Sequence, residues 1–262
     1  MADFIDAELP GTRFDHTDLS GARFRAVDLS GADLRSVDLT GAVLRGVDLT
    51  DVDIYGELRN VTVNGVAIVP LVEAELNRRH PERALMRPSD PAGFGRAWDA
   101  LERLWDQTVG RARSLPPARL HERVDGEWSF IETLRHLVFA TDTWVRRVIG
   151  GDPAPWHPLG LPWAEMRDTP GIPRDHAARP TLDEVLVLRR DRMATVRQVI
   201  EAQTAASLAA ETIPVQVSAA APGWPPPRAY PVRECLLTIL TEEWEHRFYA
   251  ERDLQRLLDE LA

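Results

Sequence analysis

The chain has 262 residues, of which 44% are hydrophobic and 27% charged, so it is expected to fold into one or two globular domains rather than stay disordered. A net charge of −10 opposes the phosphate neutralisation that nucleic-acid binding needs, and no apolar run reaches the roughly eighteen residues of a membrane span. The single cysteine, Cys235, excludes an internal disulfide and a cysteine-cluster zinc site, so any metal must rest on histidine and carboxylate.

The acidic start "MADFIDAELP" lacks the basic and apolar regions of a signal peptide, and a cytoplasmic protein is expected. Residues 11–55 then repeat with a period of five: "GTRFD HTDLS GARFR AVDLS GADLR SVDLT GAVLR GVDLT DVDIY". The nine central positions are Phe14, Leu19, Phe24, Leu29, Leu34, Leu39, Leu44, Leu49 and Ile54, each two residues after a small or β-branched side chain. Five matches neither the strand period nor the helical one, so these residues share one interior only if the backbone turns a corner every five residues. The pattern resembles the pentapeptide-repeat family, which implies a right-handed quadrilateral β-helix with the central residue pointing inward. Four units make one coil in that family, so nine units imply a rod of little more than two coils, about 10 Å long. Such a rod covers about one-third of a duplex turn of roughly 34 Å, too little for DNA imitation.

Around "NG" at 64–65, Val61, Val63, Val66 and Ile68 predict a short extended segment with a turn. Leu71 to Arg79 predict a helix that closes the end of the β-helix, and "HPERALMRPSDPAGF" a linker. The expected division is a β-helix segment at 1–68, a capping helix and linker at 69–93, and an all-α four-helix bundle at 94–262. In the bundle, Trp98, Leu101, Leu104, Trp105 and Val109 share one face of the first helix. Ser129 with Glu132 opens the second as a capping box, and Thr181 with Glu184 the third. Between these two runs a loop of about thirty residues, far beyond the usual connection. A Pro-rich stretch precedes the last helix, "VRECLLTILTEEWEHRFYAERDLQRLLDEL".

At about 100° per residue, Cys235, Ile239, Ala250 and Leu257 fall within roughly 40° of His246 on that helix. Glu234, Thr241, Glu245, Arg252, Arg256 and Asp259 form the opposite, solvated side, and Glu242 sits on the boundary one turn before His246. On the second helix, Phe130, Leu134, Leu137, Trp144 and Val148 make an apolar arc with His136 just outside its edge. Histidines on the rim of a buried face suit a metal that keeps one position open to water or substrate.

The stretches "EWSFIETLRHLVFATDTWVRR" and "CLLTILTEEWEHRFYAERDL" resemble the second and fourth helices of the DinB/YfiT superfamily, four-helix bundles that hold a divalent metal. The resemblance, which covers about residues 94–260, implies His136 as one metal ligand and Glu242 with His246 as the i, i+4 pair; the family more often has His at the Glu242 position. Two His and one carboxylate suit zinc or nickel first, then manganese or iron. The resemblance further implies a metal-dependent hydrolase or a transferase of low-molecular-weight thiols onto small electrophilic substrates, and a possible homodimer. All 31 basic residues are Arg, a bias of high-GC bacterial genomes, where the expected thiol is mycothiol. The alternative is a non-catalytic metal- or ligand-binding bundle with the repeats as an interaction surface.

Other residues carry simpler expectations. Glu132, one turn before His136, serves the capping box and could add a fourth ligand or a base. Cys235 reads as inert packing. Trp156, His157, Trp163 and Trp224 lie in the two long loops and could roof a pocket over the metal or pin those loops to the bundle. His16, His80, His121 and His176 have no evident partners.

Overall fold

The computed structural model describes residues 4–14, 17–35, 37–218 and 223–261, so His16 lies outside the described residues. The chain divides into two compact units, Met1–Gly56 and Glu57–Ala262.

Among the described residues of the first unit the corners take two forms. Gly11, Gly21, Gly31 and Gly41 take φ of +70° to +75°. Each stands in a turn closed by a backbone bond to the carbonyl of residue 9, 19, 29 or 39. Positive φ at this corner position favours glycine because it has no Cβ to clash. Before each later turn an aspartate carboxylate accepts a backbone N–H two residues on: Asp18 from Ser20, Asp28 from Ser30, Asp38 from Thr40 and Asp48 from Thr50, at 2.8–3.1 Å. Hydrogen bonds from the Ser20, Ser30 and Thr40 side chains, and then these backbone bonds, hold the carboxyls of Asp18, Asp28 and Asp38 below the usual carboxylate range. The alternate corners lack this bond and fall at Asp6, Ala26 and Gly46, also with positive φ. The structural repeat is therefore ten residues. No strand is assigned among the described residues of this unit, and the nine central side chains are exposed, from 42% at Leu19 to 70% at Ile54. A solenoid buries its centre only between stacked layers, and nine units supply few of them.

The second unit opens with a two-stranded antiparallel hairpin, β1 (Thr62–Val63) and β2 (Val66–Ala67). Asn64 and Gly65 form its turn with φ of 49° and 80°, the left-handed pair that matches strand twist. Helix α1 (Val69–Arg79) and a 3₁₀ turn (Pro81–Met86) follow, the latter within the expected linker.

The bundle consists of α2 (Pro91–Ala112), α3 (Phe130–Thr141), α4 (Leu182–Glu201) and α6 (Val232–Asp259), with a single-turn α5 (Ala205–Leu208) between the last two. In cyclic order α2 packs on α6, α6 on α3, α3 on α4 and α4 on α2. Local chemistry sets the helix starts. The Asp90 side chain accepts the Gly93 N–H, and both expected capping boxes form, Ser129 with Glu132 and Thr181 with Glu184.

Two features depart from the sequence reading. Helix α3 is buried on every side, including Glu132, Arg135 and His136, so His136 does not lie on an open rim. After Thr141 the helix widens into a π segment, Asp142–Ile149, which breaks the 100° register beyond that point. The π segment starts on Asp142, whose fully buried carboxylate takes the Arg192 fork at 2.9 and 3.1 Å and the His157 backbone N–H at 3.1 Å. A second buried pair, Arg189 with Glu243 at 2.7 and 2.6 Å, ties α4 to α6. Two apolar clusters fill the interior. One centres on Phe94, Trp98, Leu101, Leu236 and Leu240; the other on Trp105, Phe130, Leu134, Leu137, Leu254 and Leu257.

Candidate metal centre

His136 on α3 and the Glu242–His246 pair on α6 meet between those two clusters. One carboxylate oxygen, Glu242 Oε2, faces both rings, 3.3 Å from His136 Nε2 and 3.0 Å from His246 Nε2. The three donor atoms lie within 4.8 Å of one another, the one such group of His, Cys, Asp and Glu among the described residues. Two ligands on a tetrahedral ion at about 2.1 Å sit roughly 3.4 Å apart, so both His–carboxylate spacings already suit a shared ion. The imidazole centroids stand 4.7 Å apart at 62°.

The second ring nitrogen of His136 decides what the first can do. Nδ1 lies 3.0 Å from the Leu161 carbonyl oxygen, and a carbonyl only accepts, so Nδ1 carries the proton. Burial pushes the His136 pKa down, which outweighs the pull of Glu242, and the ring is neutral. Nε2 then presents a lone pair to a carboxylate oxygen. For Glu242, burial alone would raise the pKa, but the His136 and His246 rings beside it hold the carboxyl well below the usual range. Two acceptors facing each other at 3.3 Å repel unless a cation stands between them, and a divalent metal fits that demand.

The sequence reading missed the Leu161 carbonyl because a backbone acceptor has no signature. It is supplied by the long loop 150–180, which is packed rather than free. The Leu161 N–H bonds the Arg135 carbonyl, and Arg135 Nε donates to the Leu159 carbonyl at 2.8 Å. Trp156 Nε1 donates to the Thr143 hydroxyl at 3.0 Å.

Of the two roles open to the loop tryptophans, the contacts of Trp156, Trp163 and Trp224 match the second. Trp163 packs edge-on against Phe139 and Trp224, and Trp156 lies under the Arg147 guanidinium, so these tryptophans pin the loops to the bundle. Trp128, which the helix patterns did not single out, is the indole on the cluster. Its ring lies 4.5 Å from that of His136 and is stacked at 5.6 Å on that of His246.

Glu132 is neither ligand nor base. The Arg123 fork and the Ser129 N–H occupy its carboxylate and hold its pKa down against burial. Glu245, expected in solvent, is half-buried, and burial raises its pKa. Its neighbour Glu243 is the fully buried acid of this helix, committed to Arg189. Cys235 is buried and its thiol pKa is pushed up to about 11, consistent with inert packing. His80 packs edge-on against Phe248 and Trp244, and burial lowers the pKa of half-buried His121. His176 is exposed and uninvolved in the cluster.

Comparison with known families fits both units. Residues 2–35 and 28–56 match the pentapeptide repeats, in eight copies. No curated protein and no solved structure matches the chain. Residues 100–250, more than half of the chain, match the DinB superfamily, whose members bind divalent metals, and that stretch contains His136, Glu242 and His246; the chain therefore belongs to the DinB superfamily.

Proposed function

We propose that His136, Glu242 and His246 bind one divalent ion, zinc or nickel in preference to manganese or iron, and that the protein is a metal-dependent enzyme that activates a water or a low-molecular-weight thiol. The observation that carries this reading is the neutral His136, locked by the Leu161 carbonyl so that Nε2 faces the Glu242 carboxylate. An ion held there would lower the pKa of a water or thiol bound beside it. Burial keeps His136 unprotonated and so available as a ligand down to lower pH than an exposed histidine. The Leu161 carbonyl raises the basicity of the ring it binds, the usual role of such a partner. Two neutral imidazoles and one carboxylate leave a single positive charge on a divalent site, which favours an anionic fourth ligand such as a thiolate.

Metal analysis by mass spectrometry of tag-free protein tests the assignment. Wild type should carry close to one ion per chain, and His136→Ala, His246→Ala and Glu242→Ala should each lose it. Full occupancy in all three variants would overturn the site. A panel of thiol transfers and ester hydrolyses on the loaded protein then tests the activity.

A second reading is a metal-binding bundle without turnover, with the repeats as its interaction surface. The exposed central side chains of the first unit favour it. Bound metal with no turnover across the panel would select it. For the repeats themselves we propose the family's right-handed quadrilateral coil. Amide exchange protected at five-residue intervals would support that coil, and uniform fast exchange over residues 11–55 would sink it.

A further inference from the structure

We infer that Trp128 is a gate on the metal centre, which selects by bulk the thiols that reach the open coordination position. The inference rests on the metal reading above. Its ground is the placement of one indole, which no helix of the bundle supplies.

Trp128 contacts both candidate histidine ligands, stacked on His246 at 27° and tilted by 40° over His136. It is itself half-buried, so one side of the ring meets the ligands while another remains accessible. A donor atom approaching the cluster from that side meets the indole first. Beyond the ring, Trp128 also borders a shallow groove formed with Phe130, Ala250, Leu254 and Asp253.

The backbone around Trp128 makes it a hinged side chain rather than a loose loop. The next residue, Ser129, is held from both sides by the capping box. Its N–H donates to Glu132 Oε2 at 2.9 Å, and its hydroxyl accepts the Glu132 N–H. Arg123 clamps the same carboxylate with two donors, at 2.9 and 2.6 Å. The preceding segment turns through Asp125 and Gly126, both at positive φ, and Asp125 pairs with Arg256 on α6. With its main chain pinned, the indole opens the site by rotating about its own side-chain bonds, a motion far faster than helix rearrangement.

Stopped-flow binding of thiols to the full-length cobalt(II) protein tests the gate, read from the thiolate-to-cobalt charge-transfer absorption. The two probes are 2-mercaptoethanol, small enough to pass the ring, and benzyl mercaptan, which is not. Trp128→Ala should speed benzyl mercaptan association by about tenfold, since binding no longer waits on a conformational step. It should change the 2-mercaptoethanol rate by less than about twofold and leave cobalt stoichiometry intact. Trp128→Phe, which keeps an aromatic packing partner, should fall between wild type and alanine and carries the test should the alanine variant misfold. Equal rates for both thiols in wild type and variants, with cobalt bound, would overturn the gate alone. Failure of wild type to take up cobalt would overturn the metal reading, and the gate with it.

Discussion

Replacing Glu243 by glutamine exchanges one oxygen for an amide nitrogen and leaves Arg189 as an uncompensated charge in the bundle interior. The pair is bidentate, at 2.7 and 2.6 Å, and the two side chains are 3% and 1% exposed. Trp105 covers the guanidinium, its ring centroid 5.5 Å away, so water cannot substitute for the lost carboxylate. Breaking one partner of such a pair costs about 3–5 kcal/mol. For a unit of this size a loss of about 1 kcal/mol lowers Tm by roughly 2–4 °C, so Glu243→Gln should melt about 10 °C below wild type. Urea and thermal denaturation followed by circular dichroism of the metal-free protein measure both quantities. The adjacent Glu242→Gln should behave in the opposite way. A glutamine amide can donate to the His136 Nε2 lone pair that the carboxylate opposes, so metal-free stability should hold or rise while metal binding is lost. A loss below about 1 kcal/mol in Glu243→Gln would refute the reasoning, because a truly buried ion pair cannot be broken so cheaply. The double variant Arg189→Met with Glu243→Leu should recover most of the stability, since it leaves no orphaned charge.

Three further outcomes follow from the structure. The Cys235 thiol should resist iodoacetamide at pH 8.5 in the native protein and react readily in urea; fast native labelling would contradict its burial. Its pKa rises from 9.0 to about 11 on folding, so this group's contribution to stability is complete below pH 9 and is lost as the pH climbs towards 11. A denaturation series across that range checks the sign. Glu132→Gln, which weakens the Arg123 clamp behind Trp128, should speed benzyl mercaptan binding less than Trp128→Ala does, by the stopped-flow assay above. An unchanged rate would mean that the clamp does not hold the indole.

The meeting of the candidate metal-centre residues was legible because helical spacing puts Glu242 and His246 one turn apart and points His246 along the buried line of Cys235, Ile239 and Ala250. The same wheel misplaced Glu245 and overlooked Glu243, since it records direction on one helix and not what the neighbouring helix brings. Arg189, three helical residues before Arg192 on α4, is what makes the Glu243 position polar and buried. The surroundings of His136 were illegible for a related reason. α3 packs on α4, α6 and the long loop at once, and no single-helix pattern reveals that third cover. The ten-residue repeat stood in plain view, in Gly21, Gly31 and Gly41 and in Asp28, Asp38 and Asp48, but the stronger five-residue signal of Leu and Phe masked it.

The bond from His136 to the Leu161 carbonyl has a consequence for regulation. It joins the ligand set to a segment of about thirty residues that no helix of the bundle contains, so the two share a free energy. On the proposed assignment, whatever loosens the loop weakens metal binding, and by reciprocity metal binding tightens the loop by the same factor. Proteolytic nicking within the loop and the rate of metal loss thus become two readings of one equilibrium.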